Sequence, residues 1–93
     1  MYWNRGEYEK ALEQYEKCLK IQTKTLGPEY IEVASTLNNI GSMYYNRGEY
    51  EKALEQYEKC LKIFTKTLGP ESIDVAQTLN NIGLVYYNRG EYE

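Results

Sequence analysis

The chain has 93 residues, of which 42% are hydrophobic and 27% charged, and its formal net charge is −3. This length suits a single domain with a modest core. The mild, interspersed charge offers no basic surface for nucleic acid, and no apolar run approaches the ~18 residues of a membrane span. The sequence lacks histidine, the usual general base and commonest metal ligand. We therefore expect no catalytic residues, no cofactor and no metal site.

The amino terminus bears on the cellular location, and the cysteines bear on metal and redox chemistry. Residues 1–6 lack the charged and apolar regions of a signal peptide, which favours an intracellular, cytoplasmic location. Cys18 and Cys60 stand 42 residues apart, a spacing that matches no metal or redox motif. The paired glutamates of the charged segments indicate a solvated helix face in preference to an acid/base pair.

The sequence repeats itself with a period of 42 residues. Residues 4–45 align with residues 46–87 without a gap, and residues 88–93 begin a third, truncated copy. Such a period lies near that of two-helix solenoid repeats. We therefore predict one domain over residues 1–93. The two copies differ at six positions, which are Gln22/Phe64, Tyr30/Ser72, Glu32/Asp74, Ser35/Gln77, Ser42/Leu84 and Met43/Val85.

The first predicted helix covers residues 7–25 and recurs at 49–67. Its apolar residues are spaced by three and four, which traces one face of an α-helix. Cys18 and Cys60 fall on that face, so both are expected to be buried structural thiols. In the second copy the apolar face consists of Tyr50, Ala53, Leu54, Tyr57, Cys60, Leu61 and Phe64.

The other predicted helix covers residues 29–47 and recurs at 71–89. In the second copy, Pro70 is expected at the helix start, where its missing N–H costs nothing, with Glu71 in the first turn. Leu68 and Ile73 are spaced for a hydrophobic staple. In the first copy, Gly48 is expected to end the helix in the left-handed conformation. The core stripe is Val33, Leu37, Ile40 and Tyr44, with small Ala34 and Gly41 allowing close helix packing.

The run from Leu37 to Leu54 resembles a tetratricopeptide repeat. Its signature residues stand at the spacings of that family, and the Leu-Gly-Pro-Glu segments at 26–29 and 68–71 resemble those of the 42-residue repeats of kinesin light chains. The resemblance implies an all-α fold of four helices, a right-handed superhelical solenoid of antiparallel helix pairs, that binds a protein or peptide and is not an enzyme. The signature residues are Leu37, Gly41, Tyr44, Gly48, Tyr50 and Ala53.

The resemblance also implies that one helix of each pair lines a concave groove. Some relatives hold a terminal carboxylate there with Lys or Arg, but none occurs between Lys24 and Arg47 or between Lys66 and Arg89. The predicted groove face is instead polar and uncharged, and its short amides suit the main chain of a bound peptide. Its residues are Ser35, Asn38, Ser42, Tyr45 and Asn46, with the equivalents Gln77, Asn80, Leu84, Tyr87 and Asn88.

Three questions remain open at the level of sequence. The polar face is either a groove or a solvated surface whose amides pair between adjacent helices, and we favour the second interpretation for Asn39 and Asn81. Trp3 aligns with Tyr45, so it is either a groove aromatic or the end of an incomplete helix, and we favour the latter. For function, the alternative to a binding module is a structural repeat. Helices 7–25 and 71–89 would then stack head to tail between copies and form a homo-oligomer.

Overall fold

A computed structural model describes residues 5–90, so residues 1–4, which include Trp3, and residues 91–93 lie outside the described part of the chain. It contains four α-helices: α1 (Arg5–Leu26), α2 (Ile31–Asn46), α3 (Tyr50–Leu68) and α4 (Ile73–Asn88). Each packs on its neighbours in the sequence, and the α2–α3 contact is the most extensive. The prediction of an all-α fold of four helices is confirmed.

The predicted starts of α2 and α4 are wrong by two residues. Pro28 does not open α2, because Gly27 to Tyr30 form a turn in which the Tyr30 N–H donates to the Gly27 carbonyl at 3.3 Å. Gly27 has a φ of +99°, and proline favours the second position of such a turn. Helix α2 then begins at Ile31.

The start of α4 repeats this shift and corrects two further predictions. Ser72 caps the helix, since its side-chain oxygen accepts from the Val75 N–H at 3.2 Å. Ile73 is therefore the first helical residue, and its side chain is 70% exposed. With Ser72 as the N-cap, Leu68 and Ile73 do not stand at the positions of a hydrophobic staple, and Glu71 precedes the helix instead of lying in its first turn.

The turn between α2 and α3 follows the sequence prediction. Gly48 has a φ of +80°, the left-handed conformation that glycine adopts without a steric penalty. The N–H groups of Gly48 and Glu49 donate to the carbonyls of Tyr45 and Tyr44, at 3.0 and 2.9 Å. These bonds satisfy the last turn of α2 and direct the chain straight back into α3.

The core lies where α2 and α3 meet. Tyr57 of α3 is buried, and its ring lies so close to Gly41 that a Cβ there would be 2.8 Å from it. The expectation that Gly41 permits a close helix approach is confirmed. Two clusters of buried residues result. One contains Val33, Ala34, Leu37, Cys60, Ile63, Phe64 and Val75, and the other Ala53, Leu54, Tyr57 and Val85.

The two cysteines do not share an environment. Cys60 is buried, as predicted, but Cys18 is exposed, so the prediction of a buried thiol at that position is wrong. Cys60 lies on α3, which packs against both α2 and α4, whereas in the described chain α1 packs chiefly on α2. Identical local sequence therefore becomes core at one position and surface at the other.

Candidate functional site

A polar pocket of about 290 Å³ lies between α2 and α4. We call it the α2–α4 pocket. It includes three predicted groove residues, Ser35, Asn38 and Gln77. Asp74 is the one charged residue among those that line it, so the pocket favours N–H donors over carboxylates. Its complete lining is Ser35, Asn38, Asn39, Phe64, Asp74, Gln77, Thr78 and Asn81.

Hydrogen bonds between amide and hydroxyl groups connect the two helices across this face. The Asn81 Nδ2 donates to Asn38 Oδ1 at 3.1 Å. Closer to the helix ends, the Asn88 Nδ2 donates to the Tyr45 hydroxyl at 2.5 Å and to the Leu84 carbonyl at 2.9 Å. These contacts place Asn81 at the seam between helices, as we favoured, but they bring Asn38, Tyr45 and Asn88 into the seam as well.

Ser42 takes part in the packing of α2 on α3. Its hydroxyl lies 2.9 Å from the Tyr57 hydroxyl, so the two share a hydrogen bond. Burial raises the pKa of the Tyr57 phenol, an effect that the bond to Ser42 partly offsets. Leu84 replaces this serine in the second copy and lies exposed on α4.

The five remaining predicted groove residues are exposed, but only two of them line the pocket. Ser35 and Gln77 line it from opposite walls, whereas Asn80 and Tyr87 lie outside its lining. Helical geometry explains why only some residues of α4 line the pocket. Side chains on the face of α4 turned towards α2 can reach it, and those on the other faces cannot. Asn46, at the end of α2, is exposed and also lies outside the lining.

Several lining residues were missed by sequence reasoning. Thr78 is buried and its hydroxyl donates to the Asp74 carbonyl at 2.9 Å, so it completes the pocket wall while remaining internally bonded. Asp74 and Phe64 are two of the six positions at which the repeats differ. A comparison of the copies at those positions was the signal that could have drawn attention to them.

The described part of the chain was also compared with the requirements of a metal site and of a membrane span. Within residues 5–90, no cluster of three or more His, Cys, Asp or Glu side chains could hold a metal ion. Among the four described helices, none is both long and apolar enough to cross a membrane.

The fold and the repeat spacing agree with comparisons to known proteins. A family model described as "Tetratricopeptide repeat" matches residues 1–66 and again residues 32–93. The chain belongs to the tetratricopeptide repeat family. Proteins of this family generally serve as interaction modules or scaffolds and are generally not catalytic.

A solved structure similar to this tetratricopeptide repeat chain is the crystal structure of BtubC (BKLC) from P. vanneervenii. The TM-score is 0.86 and the sequence identity 32%, over 92% of this chain and 34% of that one. The chain thus spans about a third of the length of that protein. No curated protein sequence matches it significantly.

Proposed function

We propose that the chain is a protein-interaction module whose α2–α4 pocket binds the main chain of a peptide segment. The observation that carries this proposal is the concentration of amide groups in an open pocket between two helices. Each asparagine amide has two donor hydrogens and an acceptor oxygen with two lone pairs. The Asn81–Asn38 bond uses one hydrogen of the first and the oxygen of the second, so both side chains retain capacity for a ligand.

The lining also bears on the chemistry of the ligand. Peptide main chain offers N–H and C=O groups in alternation, which amides recognise without charge. Asp74 adds a carboxylate at the pocket wall, so a lysine or arginine in the peptide is favoured there over an acidic residue. This preference separates the pocket from the carboxylate clamps of some relatives.

A peptide-array screen, with the whole chain as the probe, tests the proposal. For a peptide selected in this way, Asn38→Ala with Asn81→Ala should weaken binding by about 1–3 kcal/mol, the cost of losing hydrogen bonds from a shielded site. Asn80→Ala is the matched control, because Asn80 is equivalent to Asn38 in the repeat but lies outside the pocket. Equal loss in both proteins, or no loss in the double variant, would reject the α2–α4 pocket as the site.

A second candidate function, self-association, is favoured by one surface of α4. Leu79 is 52% exposed, whereas its equivalent Leu37 is 5% exposed beneath its neighbours. A Cβ added at Gly83 would likewise meet no neighbouring atom within 4 Å, whereas one at its equivalent Gly41 would meet Tyr57. No described residue covers this face. We infer that a second copy can cover it.

The occupant that fits this face is α1 of the second copy. Residues 5–26 repeat residues 47–68 with the single change of Gln22 for Phe64, so α1 has nearly the same contact surface that α3 presents to α2. Such a head-to-tail contact propagates a superhelix or closes a ring, and it does not form a symmetric dimer. Sedimentation velocity should show mass increasing with concentration and Leu79→Glu should abolish the increase. A strict monomer at every concentration would reject this function.

A further inference from the structure

A second cleft lies on the other side of α2, between α1 and α3. It has a volume of about 320 Å³ and an aliphatic interior. Leu19 of α1 and Ile63 of α3 form its walls, and Val33 and Leu37 of α2 its floor. Ligand sites commonly span about 300–1,000 Å³, so this cleft lies at the lower end of that range and has room for one or two side chains.

The cleft has a positively charged rim. Lys59, Lys62 and Lys66 are spaced by three and four residues, which aligns them on one side of α3. The only acidic residue in the lining is Glu29, whose carboxylate lies 2.6 Å from the Lys66 Nζ. Among the lining residues, three lysines and one glutamate leave two net positive charges, in a chain whose overall charge is −3. Glu55, outside the lining, partly offsets the charge of Lys59, since its carboxylate lies 4.0 Å from the Lys59 Nζ. We call this site the lysine-rimmed cleft.

The charges of the rim lysines also act on Glu29. A hydrogen bond and the charge of Lys66, together with the charge of Lys62, lower the pKa of the Glu29 carboxyl although that group is exposed. The opposite wall provides no compensating acid, because its α1 residues in the lining are Leu19 and Thr23. Anions that approach the cleft therefore meet lysines on one wall and neutral side chains on the other.

From this arrangement we propose that the lysine-rimmed cleft binds an acidic peptide through one apolar side chain flanked by carboxylates. The apolar side chain enters between Leu19 and Ile63, while the carboxylates pair with the lysines above them. Long lysine side chains suit this role, since their stems cover apolar surface and their ammonium groups remain in water. The lining contains no aromatic ring, so it lacks the stacking platform that single-stranded nucleic acids use.

This site is distinct from the α2–α4 pocket. Helical geometry places Val33 and Leu37 on one side of α2 and Ser35 and Asn38 on the opposite side. No residue lines both. The two sites also select opposite charges, because the pocket contains an aspartate and the cleft three lysines. Binding at one can therefore be measured while the other is disabled.

The repeat itself supplies a matched control for the lysines. Lys17, Lys20 and Lys24 of α1 are the sequence equivalents of Lys59, Lys62 and Lys66, but they do not line the cleft. The probe is a short labelled peptide that has a central leucine with two acidic residues on each side. Fluorescence anisotropy then compares its binding to two triple variants. Lys→Gln at the three α3 positions should weaken binding about tenfold, whereas the α1 triple variant should remain within about twofold of the unmodified chain.

Two further arms test the apolar part of the cleft. Replacing the central leucine of the peptide by alanine should weaken binding several-fold, and Thr23→Phe, which fills the cleft, should do the same. Thr65→Phe is the control for the second change, because Thr65 occupies the equivalent position on α3 and does not line the cleft. Circular dichroism of each variant verifies that the helices remain intact.

Each outcome either supports or overturns the proposal. Loss in the α3 variant and with Thr23→Phe, with both controls retained, supports the proposal. Equal loss in both lysine variants, equal binding of the alanine peptide, no measurable binding, or stronger competition from a single-stranded oligonucleotide than from unlabelled peptide would each overturn it. Asn38→Ala with Asn81→Ala should leave acidic-peptide binding unchanged, so failure here is distinguishable from failure of the proposed function.

Discussion

Helices α1 and α3 have the same sequence over residues 8–26 and 50–68 except for Gln22 in place of Phe64, yet they lie in different surroundings. Ile63 is 6% exposed and its equivalent Ile21 is 63% exposed. Cys60 is buried and Cys18 is exposed. In the described chain α3 lies between α2 and α4, and α1 has its main contact with α2. The comparison distinguishes the effect of a helix's own sequence on burial from the effect of the helices packed against it.

The same lesson applies to α2 and α4. Gly41 is pressed against the Tyr57 ring and Gly83 faces open space, although both follow Asn-Asn-Ile in their repeats. An apolar side chain is stabilising only to the extent that another element removes it from water. Paired substitutions at equivalent positions therefore measure the contribution of neighbouring helices, with local sequence nearly constant.

The largest difference is expected for Tyr57→Ala against Tyr15→Ala. Tyr57 is buried against Gly41 and shares a hydrogen bond with Ser42, so its truncation should cost about 3–5 kcal/mol of unfolding free energy. Truncation of Tyr15, which is half-buried, should cost about 1–2 kcal/mol of unfolding free energy. Urea denaturation followed by circular dichroism measures both. Similar losses would mean that α1 is as well covered in solution as α3.

A change of sign is expected for the two helical glycines. Gly41→Ala should destabilise the fold by about 1–3 kcal/mol, because the new Cβ would lie 2.8 Å from the buried Tyr57 ring. Gly83→Ala has no such neighbour and should stabilise α4 by up to about 1 kcal/mol through its helix propensity. Thermal unfolding of the two variants tests this. Destabilisation by Gly83→Ala would indicate that α4 is already covered, as in a self-associated form.

The smallest effect concerns the thiols and pH. Burial raises the pKa of the Cys60 thiol, an effect that the nearby Thr78 hydroxyl partly offsets. The folded state therefore favours the protonated thiol, and this contribution is complete below the ordinary pKa near 9.0 and is lost as the pH rises through the raised value. Cys60→Ala should therefore reduce the alkaline loss of stability, as measured by urea denaturation at increasing pH.

Thiol labelling of the native protein provides the accompanying measurement. The exposed Cys18 should react rapidly near neutral pH, and Cys60 only through opening of the fold. Equally fast reaction of both thiols would contradict the burial of Cys60.

Much of the fold followed from the residues alone. The 42-residue repetition and the spacing of apolar residues predicted four helices and the close packing at Gly41, and Gly48 predicted the stop of α2. These features depend on local geometry, namely the period of the helix and the conformational freedom of glycine. The starts of α2 and α4 were misplaced because a Pro-Glu pair fits a helix start and a turn about equally well.

For the candidate site, the sequence determined which polar residues share a helix face, and the tertiary structure decided what they contact. Asn38 and Asn80 are equivalent in the repeat, yet only Asn38 lines the α2–α4 pocket. Asp74 and Phe64 reach the same pocket from α4 and α3. Helical periodicity fixes the direction of a side chain relative to its own axis. The identity of the neighbour on that side depends on how the helices stack, which also buries Cys60 and leaves Cys18 in water.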